Sequence, residues 1–308
     1  MKIAVESTVL LKGHSKKNLE KIGKIARYKW GCSREDFFNA AKDCEIIISN
    51  KWFYNEMLPK LKAKLISLWS TGFDIIDLEK CREMGIIVTN VPAYSTNSVA
   101  EQAIALIMEL TKKTGWLNRQ LLDGKWAYEL PLMTEIKGKT LGIIGFGAIG
   151  AKVAEIAKSM EMKILICSRK NRQKDFHQYK FTEIEELLKN SDFVTIHAPL
   201  NSQTRHLIDK KKLKMMKKSA FIVNCSRGAI INETDLIAAL KNKIIAGAGL
   251  DVFEKEPLPM ESGLRKLENV VMTPHNAFYT SEAVERLNAV CIGNIINYLN
   301  KKPTNVIN

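Results

Sequence analysis

Leu141-Gly142-Ile143-Ile144-Gly145-Phe146-Gly147-Ala148-Ile149-Gly150, followed by Ala151-Lys152-Val153-Ala154-Glu155-Ile156-Ala157-Lys158, decides the fold class of this chain. Its first four residues read as a buried strand, Gly145-x-Gly147-x-x-Gly150 as a tight turn, and the alanine-rich run behind it as a helix. That order is what a dinucleotide-binding turn requires. Gly145 permits the bend, Gly147 lets backbone approach a pyrophosphate, and Gly150 lets helix and strand pack closely, with helix N–H groups facing the phosphates. A lone GxGxxG would mark any tight turn, but here a second strand follows at Lys163-Ile164-Leu165-Ile166-Cys167, as a βαβ unit demands. About 140 residues precede the turn, although such a motif usually begins its own domain.

The 308 residues suffice for two domains with ample cores. No apolar run reaches membrane-spanning length. Met1-Lys2-Ile3-Ala4-Val5-Glu6 reads as a first strand rather than a signal peptide, so a cytoplasmic protein is expected. Six cysteines, at 32, 44, 81, 167, 225 and 291, show neither CxxC pairs nor metal-ligand spacing, so free thiols and no metal are expected. Lys and Arg number 47 against 33 Asp and Glu, a net charge of +14. The lysines are spread along the whole chain, as on a solvated surface, and the positive field also suits an anionic substrate and a phosphorylated cofactor. No nucleic-acid motif accompanies the charge. Even the densest run, Lys210 to Lys218, alternates with apolar residues as a surface helix would.

Short β-type runs alternate with amphipathic segments in the first hundred residues: strands at Ile3–Val5, Ile46–Ser49, Leu65–Trp69 and Ile86–Thr89, helices at Phe53–Lys60 and Leu78–Met84. A second βα series starts at Thr140, with strands near Lys163, Phe193–Ile196, Ala220–Val223, Ala246–Leu250 and Val270–Met272. Both series predict parallel sheets. Between them, Ser98 with Glu101 reads as a capping box opening a long helix that carries the chain from one lobe to the other. Helix returns over Ser281–Leu299. The expected organisation is one domain over residues 1–97 and 281–308, interrupted by a nucleotide-binding domain over 98–280, with ligands in the cleft between them.

Three polar clusters stand at predicted strand ends: Asn224-Cys225-Ser226-Arg227-Gly228, Asp251-Val252-Phe253-Glu254-Lys255-Glu256-Pro257 and Thr273-Pro274-His275-Asn276-Ala277. Singly, each has an ordinary structural explanation as a cap, a turn or a loop charge. Together they offer an anion clamp, an acid/base imidazole and a carboxylate to orient it. With these clusters the chain resembles the D-isomer-specific 2-hydroxyacid dehydrogenase family over nearly its whole length. The matching stretches run in order through Ser70-Thr71-Gly72-Phe73-Asp74, Asn90-Val91-Pro92-Ala93-Tyr94-Ser95, Ser98-Val99-Ala100-Glu101 and the glycine turn. They continue through His197-Ala198-Pro199-Leu200 with Thr204, Ser226-Arg227-Gly228, Gly249-Leu250-Asp251-Val252-Phe253, Glu256-Pro257 and Thr273-Pro274-His275.

The resemblance implies a Rossmann dinucleotide-binding domain inserted into a flavodoxin-like parallel α/β substrate domain, and a homodimer built on the long helix and the segment Trp116–Thr134. It implies NAD(P)-dependent reduction of a small 2-oxo acid, such as hydroxypyruvate, glyoxylate or pyruvate, to the D-2-hydroxy acid. His275 would be the general acid/base, Glu256 would bond its other ring nitrogen and favour the protonated ring, and Arg227 would clamp the substrate carboxylate. Thr71, Gly72 and Tyr94 would contact the substrate. The cofactor would lie on Gly145, Gly147, Ala148, Ile149 and Gly150, with Ser168, Arg169, Pro199, Thr204, Cys225 and Asp251; Asp251 would act on the nicotinamide carboxamide directly or through the loop near His275.

NAD-using relatives end the second strand of this fold with an acid for the ribose 2′-hydroxyl. Here that position, eighteen past Gly150, is Ser168, followed by Arg169 and Lys170. Loss of the acid beside a cation favours NADP(H) over NAD(H). Substrate signals conflict: Pro92–Thr96 resembles the glycerate/hydroxypyruvate and D-lactate branches, Asn276–Thr280 the D-lactate branch, and Ser168-Arg169 the glyoxylate/hydroxypyruvate reductases. The alternatives are an NAD-dependent D-lactate or D-3-phosphoglycerate dehydrogenase and, in another class, a dinucleotide-sensing protein like the family's corepressors.

Overall fold

The computed structural model describes residues 1–6, 17, 20–27, 34–50, 55–74, 76–126, 132–169 and 174–308. Cys32, the Phe53-Tyr54 start of the Phe53–Lys60 segment, Lys170, and residues 127–131 of Trp116–Thr134 lie outside the described residues. The chain divides into two units, one of Met1–Ser95 with Tyr279–Asn308 and one of Thr96–Phe278.

In the first unit, strands β1 (Lys2–Val5), β2 (Lys24–Arg27), β3 (Ile46–Ser49), β4 (Leu65–Leu68) and β5 (Ile87–Thr89) form a parallel sheet in the order β2-β1-β3-β4-β5. A parallel sheet is covered on both faces, which is why Ile46-Ile47-Ile48 is an uninterrupted apolar run and fully buried. The C-terminal helix Ser281–Leu299 packs in this unit: Asn288 accepts from Trp69 Nε1 at 2.8 Å, and Asn294 donates to Asn90 O at 2.9 Å. Two sequence expectations change here. Strand β2 is unannounced by any apolar run, because Lys24-Ile25-Ala26-Arg27 is an edge strand with charged ends. The expected Phe53–Lys60 helix is only a 3₁₀ turn, Leu58–Lys60, in its described part; Pro59 removes an N–H just where an α-helix would propagate.

The second unit is a seven-stranded parallel sheet of β6 (Thr140–Ile144), β7 (Lys163–Cys167), β8 (Lys180–Phe181), β9 (Phe193–Ile196), β10 (Phe221–Asn224), β11 (Gly247–Leu250) and β12 (Val270–Met272). The order β12-β11-β10-β9-β6-β7-β8 reverses between β6 and β9, the arrangement of a doubly wound Rossmann sheet. Its two faces bury separate cores. Leu141 and Ile143 of β6 pack with Val153 and Ala157 of helix Ala148–Ser159 and with Leu106 and Ile107 of helix Thr96–Lys112. Ile144, Val194 and Ile222 pack on the opposite face with Leu187 and Leu236. The long helix starts at Thr96, so Ser98 lies inside it and is not its cap; the buried hydroxyl donates instead to Ala277 O at 2.6 Å. The lysine run is helical only over Lys210–Leu213, with Leu213 and Met216 buried beneath it.

Candidate active site

The glycine turn and the three polar clusters belong to the second unit and stand at the carboxyl ends of its parallel strands. The glycine turn follows β6 at the switch point of the sheet. Gly145 has φ of +93°, and a Cβ there would stand 2.6 Å from Ala198 N and His197 C, so neither backbone nor space admits a side chain. At Gly150 a Cβ would overlap Gly145 O, the close helix-to-turn contact expected of the third glycine. At Gly147 the same atom would meet nothing within 4 Å. This open cradle precedes Ala148, Ile149 and Gly150, whose N–H groups open a helix that no side chain caps. Free amides beside open space fit the pyrophosphate of a dinucleotide.

Ser168 and Arg169 follow β7 directly, and Gly145 N donates to Cys167 O at 2.8 Å, which fastens that strand end to the turn. Ser168 is half-buried and Arg169 exposed. Burial first, and then Glu183 and Glu185, raise the Cys167 thiol, so carboxylates do stand near this strand end. Past β9, Thr204 Oγ1 donates to Pro199 O at 2.6 Å and closes the loop between them. Cys225 is buried in the core, where burial pushes its thiol well above the ordinary range.

The three polar clusters occupy the ends of adjacent strands β10, β11 and β12. After β10, Asn224 folds back: Nδ2 donates to Arg227 O at 2.9 Å and Oδ1 accepts from Ser226 N at 3.0 Å. Ser226 Oγ donates to Ala198 O, and Arg227 Nη1 donates to Ser226 O at 2.9 Å, orienting a half-buried guanidinium. A Cβ on Gly228 would overlap the Phe253 carbonyl, so the Arg227 turn lies directly on the loop after β11. That loop bends onto itself where Glu256 Oε1 accepts from Phe253 N at 3.0 Å. Glu256 Oε2 pairs with His275 Nδ1 at 2.6 Å, both side chains about a third exposed.

His275 sits in the left-handed region, φ +53°, a conformation a non-glycine residue keeps only when its surroundings impose it. Asp251 imposes it. Its main-chain oxygen accepts from His275 N at 2.7 Å; Oδ1 accepts from Thr273 Oγ1 at 2.6 Å and Asn276 N at 3.0 Å; Oδ2 accepts from Ala277 N at 3.0 Å. The carboxylate is fully buried, and burial raises its pKa despite the opposing hydrogen bonds and the charge of His275. Both carboxylate oxygens of Asp251 are thus bonded to this loop. Helix Thr96–Lys112 braces the same loop through Ser98 on Ala277 and Gln102 Nε2 on Thr273 Oγ1 at 3.2 Å. Ser98, Gln102, Asn224 and Thr273 escaped sequence reasoning as site supports, although Ser98, Asn224 and Thr273 each stand in a stretch singled out above.

Thr71, Gly72 and Tyr94 belong to the first unit. There Thr71 Oγ1 donates to Val91 O at 2.7 Å, Ser70 Oγ to Gly72 O at 2.7 Å, and Arg286 Nε to the main-chain oxygen of the buried Tyr94 at 2.8 Å. Among the described residues no cluster of His, Cys, Asp and Glu is suited to a metal ion, and no helix is long and apolar enough to cross a membrane.

His197, beside the glycine turn, is the other unusual imidazole. Nε2 bonds Thr195 Oγ1 at 2.9 Å, while Nδ1 is buried without a partner in the described structure, and burial lowers the ring's pKa from 6.5 to about 4. Between these values the unfolded chain binds a proton that the folded chain refuses. Stability fully present above pH 6.5 is therefore lost as pH falls toward 4, by at most about 3 kcal/mol. Urea unfolding of the wild type and of His197→Gln at pH 4.5 and 7.5 checks this: the wild type should lose more stability on acidification than the variant, and parallel losses would refute it.

A family model described as the D-isomer specific 2-hydroxyacid dehydrogenase NAD binding domain matches residues 104–277. Glyoxylate reductase of Korarchaeum cryptofilum is 37% identical over 291 residues, 90% of this chain and 86% of that protein. Hydroxypyruvate reductase of Blautia hydrogenotrophica is 33% identical over 304 residues, covering 95% and 94% of the two chains. Among solved structures, an acyclic imino acid reductase in complex with NADPH and D-Arg superposes with a TM-score of 0.91 at 32% identity, each chain covered completely.

Proposed function

The chain belongs to the D-isomer specific 2-hydroxyacid dehydrogenase family, and from that premise we propose that it reduces a small 2-oxo acid, glyoxylate or hydroxypyruvate first among them, to the D-2-hydroxy acid. The observation that carries this reading is the 2.6 Å His275–Glu256 pair, held on a pinned loop in the unit that bears the glycine turn. Bound at that turn, the dinucleotide supplies the hydride. With Nδ1 engaged by Glu256, His275 gives the Nε2 proton to the carbonyl oxygen as that oxygen gains charge, and takes it back from the hydroxyl in the oxidative direction. Glu256 fixes the plane of the ring through its bond to Nδ1. Arg227 holds the substrate carboxylate with two parallel N–H bonds, which orients the carbonyl toward His275.

We read the cofactor as NADP(H) in preference to NAD(H). Ser168 and Arg169, tied to the turn through Cys167 O, offer a hydroxyl and a cation to a 2′-phosphate, and the structurally similar imino acid reductase was solved with NADPH. A homodimer is supported by the exposed Trp116, Leu121, Leu122 and Trp126, which a second copy would cover. Steady-state rates with NADH and NADPH against glyoxylate, hydroxypyruvate and pyruvate test the activity; oxidation of neither cofactor with any of the three would overturn it. In the same assay Ser168→Asp should lower the NADPH-to-NADH ratio of kcat/KM by at least about tenfold, since juxtaposed like charges cost several kcal/mol. An unchanged ratio would place the discriminating contact at another residue.

A further inference from the structure

Glu256 and His275 are not the only carboxylate and imidazole to meet at this end of the sheet. His206 Nε2 lies 2.7 Å from Glu254 Oε1, and the main chain of His206 also reaches the Arg227 turn, its N–H donating to Ala229 O at 2.8 Å. The strap continues as Ile208 N donates to Ile230 O at 3.1 Å and Asn232 N to Ile208 O at 2.9 Å. Glu254 is fastened in turn to Glu233, the first residue of helix Glu233–Lys241. Glu233 N donates to Glu254 Oε1 at 3.3 Å, and Glu254 N donates to Glu233 Oε2 at 3.2 Å. A carboxylate at a helix N-terminus is favourably placed. Burial, and then the charge of Glu254, raise the Glu233 carboxyl, as expected of two acids this close.

The position of this cluster gives it a consequence for the reaction. On one side His206 bonds the turn that begins at Arg227 and Gly228; on the other it bonds Glu254, whose neighbour Phe253 donates its N–H to Glu256. Gly228 meanwhile lies against the Phe253 carbonyl. We propose that His206 and Glu254, with Glu233 behind them, are positioning residues that set the spacing between the Arg227 clamp and the Glu256–His275 pair. The His206–Glu254 pair is partly solvated, with side chains 36% and 32% exposed, so its worth to global stability is small. Its effect falls on geometry, where a misplacement of about 1 Å costs up to about 100-fold in rate.

This inference rests on the reductase reading above. The test compares His206→Ala, His206→Gln, Glu254→Gln and the double variant His206→Ala/Glu254→Gln, using full-length protein and glyoxylate with the preferred dinucleotide. His206→Ala and Glu254→Gln should each lower kcat/KM for the 2-oxo acid by about 10- to 100-fold, with the dinucleotide dissociation constant within about twofold of wild type. Tm should stay within about 3 °C for Glu254→Gln, while residue 206 has φ of +52°, so alanine there adds a backbone effect of its own. His206→Gln, which keeps an N–H donor near the same place, should recover to within about threefold, and the double variant should be no worse than the poorer single one. Single variants within about twofold of wild type overturn the proposal. So do losses shared equally by dinucleotide binding and Tm, or additive losses that His206→Gln does not rescue. A wild-type protein active on none of the 2-oxo acids would overturn the reductase reading and this inference with it, whereas an active wild type with unaffected variants overturns this inference alone.

Discussion

Changing His275 to alanine should lower kcat by roughly 10²- to 10⁴-fold, the usual worth of a positioned general acid, while the dinucleotide dissociation constant stays within about twofold. The size follows from the absence of a substitute at that point. Glu256 approaches Nδ1 and cannot reach across the ring to the atom that Nε2 serves, and Asp251 is buried with both oxygens bonded to the loop. Alanine also brings a backbone effect, because residue 275 has φ of +53°. His275→Asn separates the two causes: asparagine tolerates the left-handed region but transfers no proton. Both variants should therefore be slow, and the asparagine form should unfold at a temperature closer to wild type. An asparagine variant within about threefold of wild-type kcat would remove His275 as the proton donor.

What the sequence disclosed about this site follows from how parallel sheets are built. A glycine turn between a strand and a helix is a local signal, so Gly145 and Gly150 could be read from about ten residues, although the backbone of His197 and Ala198, which leaves no room for a side chain at Gly145, comes from the next strand of the sheet. Arg227, Glu256 and His275 could be grouped because they follow three strands of one parallel series, whose carboxyl ends share an edge. The remainder depends on contacts that no local pattern encodes. Ser98 looks like a cap beside Glu101, yet its hydroxyl serves Ala277, 179 residues away. Asp251 could be assigned to the nicotinamide or to the loop; only the folded chain engages both its oxygens with residues 273–277. The left-handed backbone of His275 is likewise imposed from Asp251 and has no signature in Thr273-Pro274-His275 itself. Edge strands were missed for a simpler reason. Lys24–Arg27 and Lys180–Phe181 each lie at the edge of a sheet, where a strand needs no long apolar run.

Arg227→Lys should cost about 2 kcal/mol or more of transition-state stabilisation, a drop of roughly 30-fold in kcat/KM for the 2-oxo acid. Charge is conserved in this exchange, so the loss measures geometry. Arg227 leaves β10 through a turn fixed by Asn224 at both Ser226 N and Arg227 O, and its Nη1 is already bonded to Ser226 O. A guanidinium held in this way presents a fixed plane of donors, and a carboxylate bound in that plane keeps its carbonyl in one orientation toward His275. An ammonium is a point charge on a flexible stem; it still attracts the carboxylate but leaves the carbonyl free to turn. KM should rise and kcat should fall together, because ground-state binding and alignment in the transition state use the same contact. Dinucleotide affinity should be unaffected, since the cradle at Gly147 and the amides of Ala148–Gly150 are separate from this turn. Equal kcat/KM for the lysine variant would mean that Arg227 acts only through its charge, and a fall confined to dinucleotide binding would place it on the cofactor instead of the substrate.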